Sequence, residues 1–179
     1  MKSYEWENQS MAIAAILYKD INYGVPSLPI EEGFNQYELP PPWGQQIASS
    51  MKVFSGQWIT FWESTGYGDD QLWIAPPPSG GWGFPNLHAY PRPHGHAGQD
   101  HWGDRIAAVS FTGPPTGSNS DRTIVWSDGS VTIGRILRRT PEGIWTIQEE
   151  EFRREFPDEP LLEHLSSDDE EKRLGQSSK

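Results

Sequence analysis

An all-β fold, a sandwich of short strands built on a duplicated unit, is predicted by three features of this 179-residue sequence. Ile16–Gly24 recurs as Thr60–Gly68, and each copy is followed by an answering segment: Gln45–Val53 for the first, Gly103–Phe111 for the second. A pair of segments repeated in one order marks a duplicated supersecondary unit. Glycine (18) and proline (16) are abundant while hydrophobic residues make up only 35%, a mixture that favours strands and turns over long helices. The nine tryptophans offset the scarcity of aliphatic residues, because each large aromatic buries roughly 150–250 Å².

Residues 1–11 read as a polar leader, and 12–113 as the sandwich region. Ala12–Tyr18 suits a strand, ended by the turn chemistry of Asn22-Tyr23-Gly24. Ser27–Ile30 is a short second strand closed by Glu31-Glu32-Gly33. Phe34–Leu39 then leads through a rigid Pro40-Pro41-Pro42 elbow to a strand over Ile47–Phe54. The second unit repeats this plan with a strand at Trp58–Glu63, a turn at Gly66–Asp70 and a strand at Gln71–Ala75. There the units diverge, because the second interval is longer and its excess holds Pro76–Trp82 and Pro91–Gly98. So much proline and glycine predicts a long surface loop over 76–102, of the kind that carries function.

The segment 114–120 is a linker by composition. Beyond it, 121–165 reads as a small module: a three-stranded meander of Thr123–Trp126, Ser130–Arg138 and Ile144–Ile147, then a short helix over Gln148–Phe156 halted before Pro157. The acidic tail, 166–179, has the composition of a disordered segment.

The net charge of −11 weighs against nucleic acid as a partner, since phosphate binding needs a basic face. The absence of cysteine excludes disulfides and thiolate zinc sites. No stretch approaches the roughly 20 apolar residues of a membrane span. The start of the chain lacks a secretory pattern, so a cytoplasmic location is the default expectation, with non-standard secretion left open.

The aromatic-rich opening Tyr18–Gly24, echoed by Trp62–Gly68, together with the answering segments, resembles the βγ-crystallin family over about residues 12–113. The resemblance implies two intercalated four-stranded Greek keys packed as one β-sandwich. Three departures stand out. Val25 and Asp69 replace the second glycine of each hairpin pair, and Asp tolerates positive φ better than a β-branched residue. Gln45-Gln46 replaces an acidic pair, and the second answering segment has lost both hydroxyls, at Ala107 and Ala108.

The resemblance further implies calcium as a ligand. Carried over, the first site would use the Lys19 and Ile47 carbonyls, the Ser49 hydroxyl and the Asp104 carboxylate. The second would have Gln46 where a carboxylate belongs and Ala107 where a hydroxyl belongs. With one carboxylate, affinity is expected no tighter than about 10⁻⁴–10⁻³ M. The insertion adds His88, His94, His96 and His101, with Asp100; His94 and His96 are candidate transition-metal ligands, set in a loop without helical pre-organisation. Trp82, Phe84 and Tyr90 are candidate contact residues for a protein or saccharide partner, and Trp82, isolated among glycines, is expected to be exposed. Nucleophile elbow, phosphate loop and His-Glu-x-x-His motifs are absent from the sequence. The expected function is therefore a non-catalytic recognition or structural protein with at most one weak calcium site. The alternatives are a killer-toxin-like or protease-inhibitor-like effector using 76–102, and a His-based metal-dependent enzyme.

Overall fold

The repeated segment folds twice into the same corner. In the computed structural model, which describes residues 12–90, 92–93, 101–115, 121–133, 137–139, 145–146 and 163–165, Asn22 and Tyr23 take φ of 53° and 63°. Their counterparts Gly66 and Tyr67 take 73° and 62°. Each corner tyrosine then packs on the aromatic that opens its repeat, Tyr23 on Tyr18 (centroids 5.5 Å apart) and Tyr67 on Trp62 (5.4 Å). Asp69 is also left-handed, at φ 60°, whereas Val25 stays out of that region, as β-branching requires.

Strands β1 (Ile13–Asp20) and β2 (Gly24–Glu31) flank the first corner; β4 (Ile59–Ser64) and β5 (Gly68–Ile74) flank the second. The answering segments supply β3 (Ser50–Val53) and β7 (Ala108–Ser110), each antiparallel to the first strand of its own unit. The remaining strand of each unit crosses over. Strand β6 (Gly81–Phe84) of the second unit pairs with β3 of the first. Residue Gln36 of the first unit bridges Val109 in β7 of the second, with N···O distances of 2.9 and 3.0 Å. Exchange of the third segment interlocks the two Greek keys, so neither sheet is complete without the other unit.

The sandwich continues beyond residue 113. Strand β8 (Arg122–Val125) pairs in parallel with β5, and β9 (Val131–Ile133), β10 (Leu137–Arg139) and β11 (Trp145–Thr146) follow as antiparallel neighbours. A last strand, β12 (Glu163–Leu165), adds to β6. The sheets therefore run β12-β6-β3-β1-β2 and β11-β10-β9-β8-β5-β4-β7. The single strand expected over Ser130–Arg138 is instead two, since Leu137 pairs back onto Ile133. The expected helix over Gln148–Phe156, the leader and the acidic tail lie outside the described residues.

Strand β1 shows why its sequence is apolar from Ile13 to Tyr18. Ala15 and Leu17 enter the main core with Met51, Phe61, Leu72, Trp82 and Val125, while Ile13, Ile16 and Tyr18 form a second cluster with Phe54, against which Tyr23 and Leu165 pack. Both faces of this central strand are covered, so the usual polar alternation disappears.

The expected surface loop over 76–102 is corrected in part. Residues Gly81–Phe84 within it are strand β6, and Leu87–Ala89 is a single 3-10 turn with Leu87 buried. Gly81, which reads as a loop signal, is a packing device here. A Cβ on Gly81 would lie 2.7 Å from the Val53 carbonyl oxygen and 2.7 Å from the Phe54 ring. The expected exposure of Trp82 is likewise corrected: Trp82, Phe84 and Tyr90 are all 0% exposed. Trp82 lies in the main core and donates its indole N–H to the Ala75 carbonyl (3.3 Å), and Phe84 meets Tyr90 edge-on at 5.2 Å. Buried in this way, these three aromatics are scaffold, with no face for a partner.

Candidate cation sites between the two units

The first candidate site is assembled by hydrogen bonds that bracket every residue expected in it. The Ser49 amide donates to the Tyr18 carbonyl (2.9 Å), next to Lys19, and the Asp104 amide donates to the Ala48 carbonyl (2.8 Å), next to Ile47. The Ser49 hydroxyl, from the first answering segment, then donates to Asp104 Oδ1 at 3.1 Å, from the second. Asp104 reaches this position through a left-handed backbone, φ 56°. Lys19 is exposed, Ile47 half-buried and Ser49 buried.

His88 completes this arrangement. Its Nε2 lies 3.2 Å from Ser49 Oγ and 3.8 Å from Asp104 Oδ2. Because the Ser49 proton is directed to Asp104, the hydroxyl oxygen accepts from His88, which assigns a proton to Nε2. The imidazole is held from its other side by backbone. A Cβ on Gly103 would sit 2.4 Å from His88 Cγ and Nδ1, closer than real Cβ atoms come, so only glycine lets this chain lie against the ring. His101 packs on the same imidazole at 4.8 Å, and its Nδ1 is buried without a hydrogen-bond partner among the described residues. Burial first, and then the neighbouring His88, hold the His101 pKa below the ordinary 6.5.

Serine, histidine and aspartate in contact invite comparison with a hydrolytic triad, and the geometry argues against it. In a triad the carboxylate holds one ring nitrogen while the serine addresses the other. Here hydroxyl and carboxylate share the same Nε2 edge, and the serine donates to the aspartate rather than to the histidine. A hydroxyl and a carboxylate oxygen side by side are instead donors of the type a hard cation takes, here with the Nε2 edge of His88 against both.

The second site occupies the equivalent place under the duplication, where Glu63 matches Lys19, Arg105 matches Ile47, Ala107 matches Ser49 and Gln46 matches Asp104. Part of the frame is the same: the Ala107 amide donates to the Trp62 carbonyl (2.8 Å), and Gln46 is left-handed at φ 62°, although its amide donates to the Trp43 carbonyl (3.0 Å) rather than across to the other unit. The chemistry is different. Gln46 Nε2 donates to the Glu63 carbonyl at 2.5 Å and lies 3.4 Å from the Arg105 carbonyl. A donor amide on the carbonyls, and no hydroxyl at Ala107, do not fit calcium.

The lost hydroxyl at Ala108 changes how the corner is tied. In the first corner its counterpart Ser50 accepts from the Tyr23 amide (2.9 Å) and donates to the Asp20 carbonyl (2.6 Å). In the second corner Ser64 hydrogen-bonds Asp69. The bond of the Gly66 amide to the Tyr37 carbonyl (2.8 Å) is common to both corners, matching that of the Asn22 amide to the Pro85 carbonyl (2.7 Å).

The interlocked exchange of third strands, with a left-handed residue at equivalent places of both answering segments, decides the architecture. The fold is βγ-crystallin-like. Among solved structures, this chain is similar to a βγ-crystallin from an archaeon, at 20% identity over 56% of this chain and 99% of that one, with a TM-score of 0.41. It is similar to a βγ-crystallin from Ciona intestinalis at 20% identity, over 55% and 98% of the two chains, TM-score 0.40. A third is protein S in complex with calcium, at 11% identity, over 59% and 52%, TM-score 0.37. No family model matches this chain, and no curated protein does.

The family resemblance pairs Ser49 with Asp104, but in the sequence His88 is one of several loop histidines and Gln46 is only a missing carboxylate. A buried ion triad in the insertion is also not legible there. Arg92 Nη1 lies 2.5 Å from Glu63 Oε1 and 3.3 Å from Asp70 Oδ2, with the Arg92 and Asp70 side chains 4% and 3% exposed. The flanking prolines of Pro91-Arg92-Pro93 masked it. His94 and His96 lie outside the described residues. Among the described residues no group of three or more His, Cys, Asp or Glu side chains is placed to hold a metal, and no helix is long and apolar enough to cross a membrane.

Proposed function

We propose that this chain is a non-catalytic binding domain whose first inter-unit site takes one calcium ion weakly. The observation that carries this reading is the 3.1 Å contact between Ser49 Oγ and Asp104 Oδ1, two oxygen donors from opposite units. The Lys19 and Ile47 carbonyls would add backbone oxygens, and water the remainder of the six to eight that calcium takes. A single carboxylate keeps the affinity near about 10⁻⁴–10⁻³ M. That protein S is described in complex with calcium supports the choice of ion.

Calorimetric titration tests the reading. The wild type should take up about one equivalent of calcium at millimolar concentration, Asp104→Ala should lose the heat signal, and Ser49→Ala should weaken it. An unchanged titration for Asp104→Ala sinks the proposal.

A further inference from the structure

We infer that the second inter-unit site is shut by a built-in substitute for a cation, the side-chain amide of Gln46. An amide nitrogen carries two hydrogens, and the two carbonyl oxygens that converge here, Glu63 and Arg105, each face that nitrogen, at 2.5 and 3.4 Å. Only this orientation is chemically consistent, because the amide oxygen in its place would set three acceptors against one another. The donor group thus supplies positive partial charge where carbonyl dipoles meet. At the matching place in the first site stands Asp104, an acceptor, next to a hydroxyl; here the partner position is Ala107.

Much of the backbone that presents the carbonyls is shared by the two sites. Gln46 and Asp104 differ by 6° in φ, and the amides of Ser49 and Ala107 bond the Tyr18 and Trp62 carbonyls at 2.9 and 2.8 Å. The backbone differs at Gln46, whose amide donates to the Trp43 carbonyl (3.0 Å) where the Asp104 amide donates to the Ala48 carbonyl (2.8 Å). At the ligand positions the sites differ in two side chains, and the test reverses both. Exchanging the amide for a carboxylate removes both donors and leaves acceptors facing acceptors, an arrangement that a cation satisfies. Restoring a hydroxyl at 107 supplies one more oxygen. The second site is a latent calcium site held closed by one neutral donor.

The test uses the full chain carrying Asp104→Ala, which removes the first site's only carboxylate, so its outcome is independent of whether the first site binds. Into this background Gln46→Asp and Ala107→Ser are introduced together. The expected result is a new, saturable uptake of one calcium, with a calcium-dependent rise in melting temperature that Asp104→Ala alone lacks. A folded triple variant, by circular dichroism, that takes up no calcium overturns the inference. A second measurement, on the wild type, is independent of whether the variant folds. The Gln46 side-chain amide protons should exchange with solvent at least about 10-fold more slowly than those of exposed Gln45, as hydrogen-bonded donors do. Equal exchange rates at the two glutamines also overturn it.

Discussion

Gln46 and Asp104 stand at the same position of two duplicated units, with the same left-handed backbone, and differ in whether the side chain donates or accepts. That contrast was half legible in the sequence. Aligning the repeats identifies the two positions and the missing hydroxyl at Ala107, but a glutamine in place of a carboxylate reads as a simple loss. Only the geometry shows it acting as a donor to two carbonyls. His88 was less legible still, because it comes from the insertion and its partners lie far along the chain. Beside it, His101 gives a pH prediction. Its folded-state pKa is held below 6.5, so as pH falls through that value the unfolded chain takes up a proton that the folded chain resists. This contribution is fully present above the unfolded value and is lost progressively as the pH drops below it. Thermal melts from about pH 8 to about pH 5 should show the wild type losing more stability than His101→Phe; parallel losses would contradict the assignment.

Two elements of the second unit were misread for one physical reason: proline and glycine mark turns, and they also mark close packing. Strand β6 opens on Gly81 where Val53 and Phe54 approach, and Arg92 sits between prolines yet is buried against Glu63 and Asp70. The triad ties the end of the insertion to β4 and β5. Arg92→Met leaves two carboxylates together in a buried place and should cost about 3–5 kcal/mol in chemical denaturation; a loss below about 1 kcal/mol would mean the triad is not holding the insertion. Gly103→Ala tests the turn that carries Asp104. A methyl group there meets the His88 ring, and the resulting overpacking should cost about 1–3 kcal/mol and displace His88 from Ser49. Unchanged His88 imidazole resonances would contradict that placement.

At the scale of the whole molecule, strand content and the sandwich followed from the repeat and its short, turn-bounded strands, while the interlocked Greek keys were implied by the family resemblance alone. The pairing of β8 with β5 did not follow, since a parallel partner reached through a glycine- and proline-rich connection leaves no periodic signal. Val125, Val131 and Ile133 enter the same core as the duplicated units, at 0%, 1% and 5% exposure. A chain ending at residue 113 bares one edge of β5 and the core faces of those residues, and it should lose cooperative unfolding. Wild-type-like melting of that truncation would show the later strands to be dispensable.

The asymmetry of the two sites is tested most directly by following backbone amide resonances of the wild type during a calcium titration. Saturable shifts should concentrate at Lys19, Ile47–Ser49 and Asp104 and leave Glu63, Arg105 and Ala107 unmoved. Shifts of equal size around Gln46 and Glu63, or none at Ser49 and Asp104 at millimolar calcium, would contradict a duplicated scaffold that keeps one cation site and has closed the other.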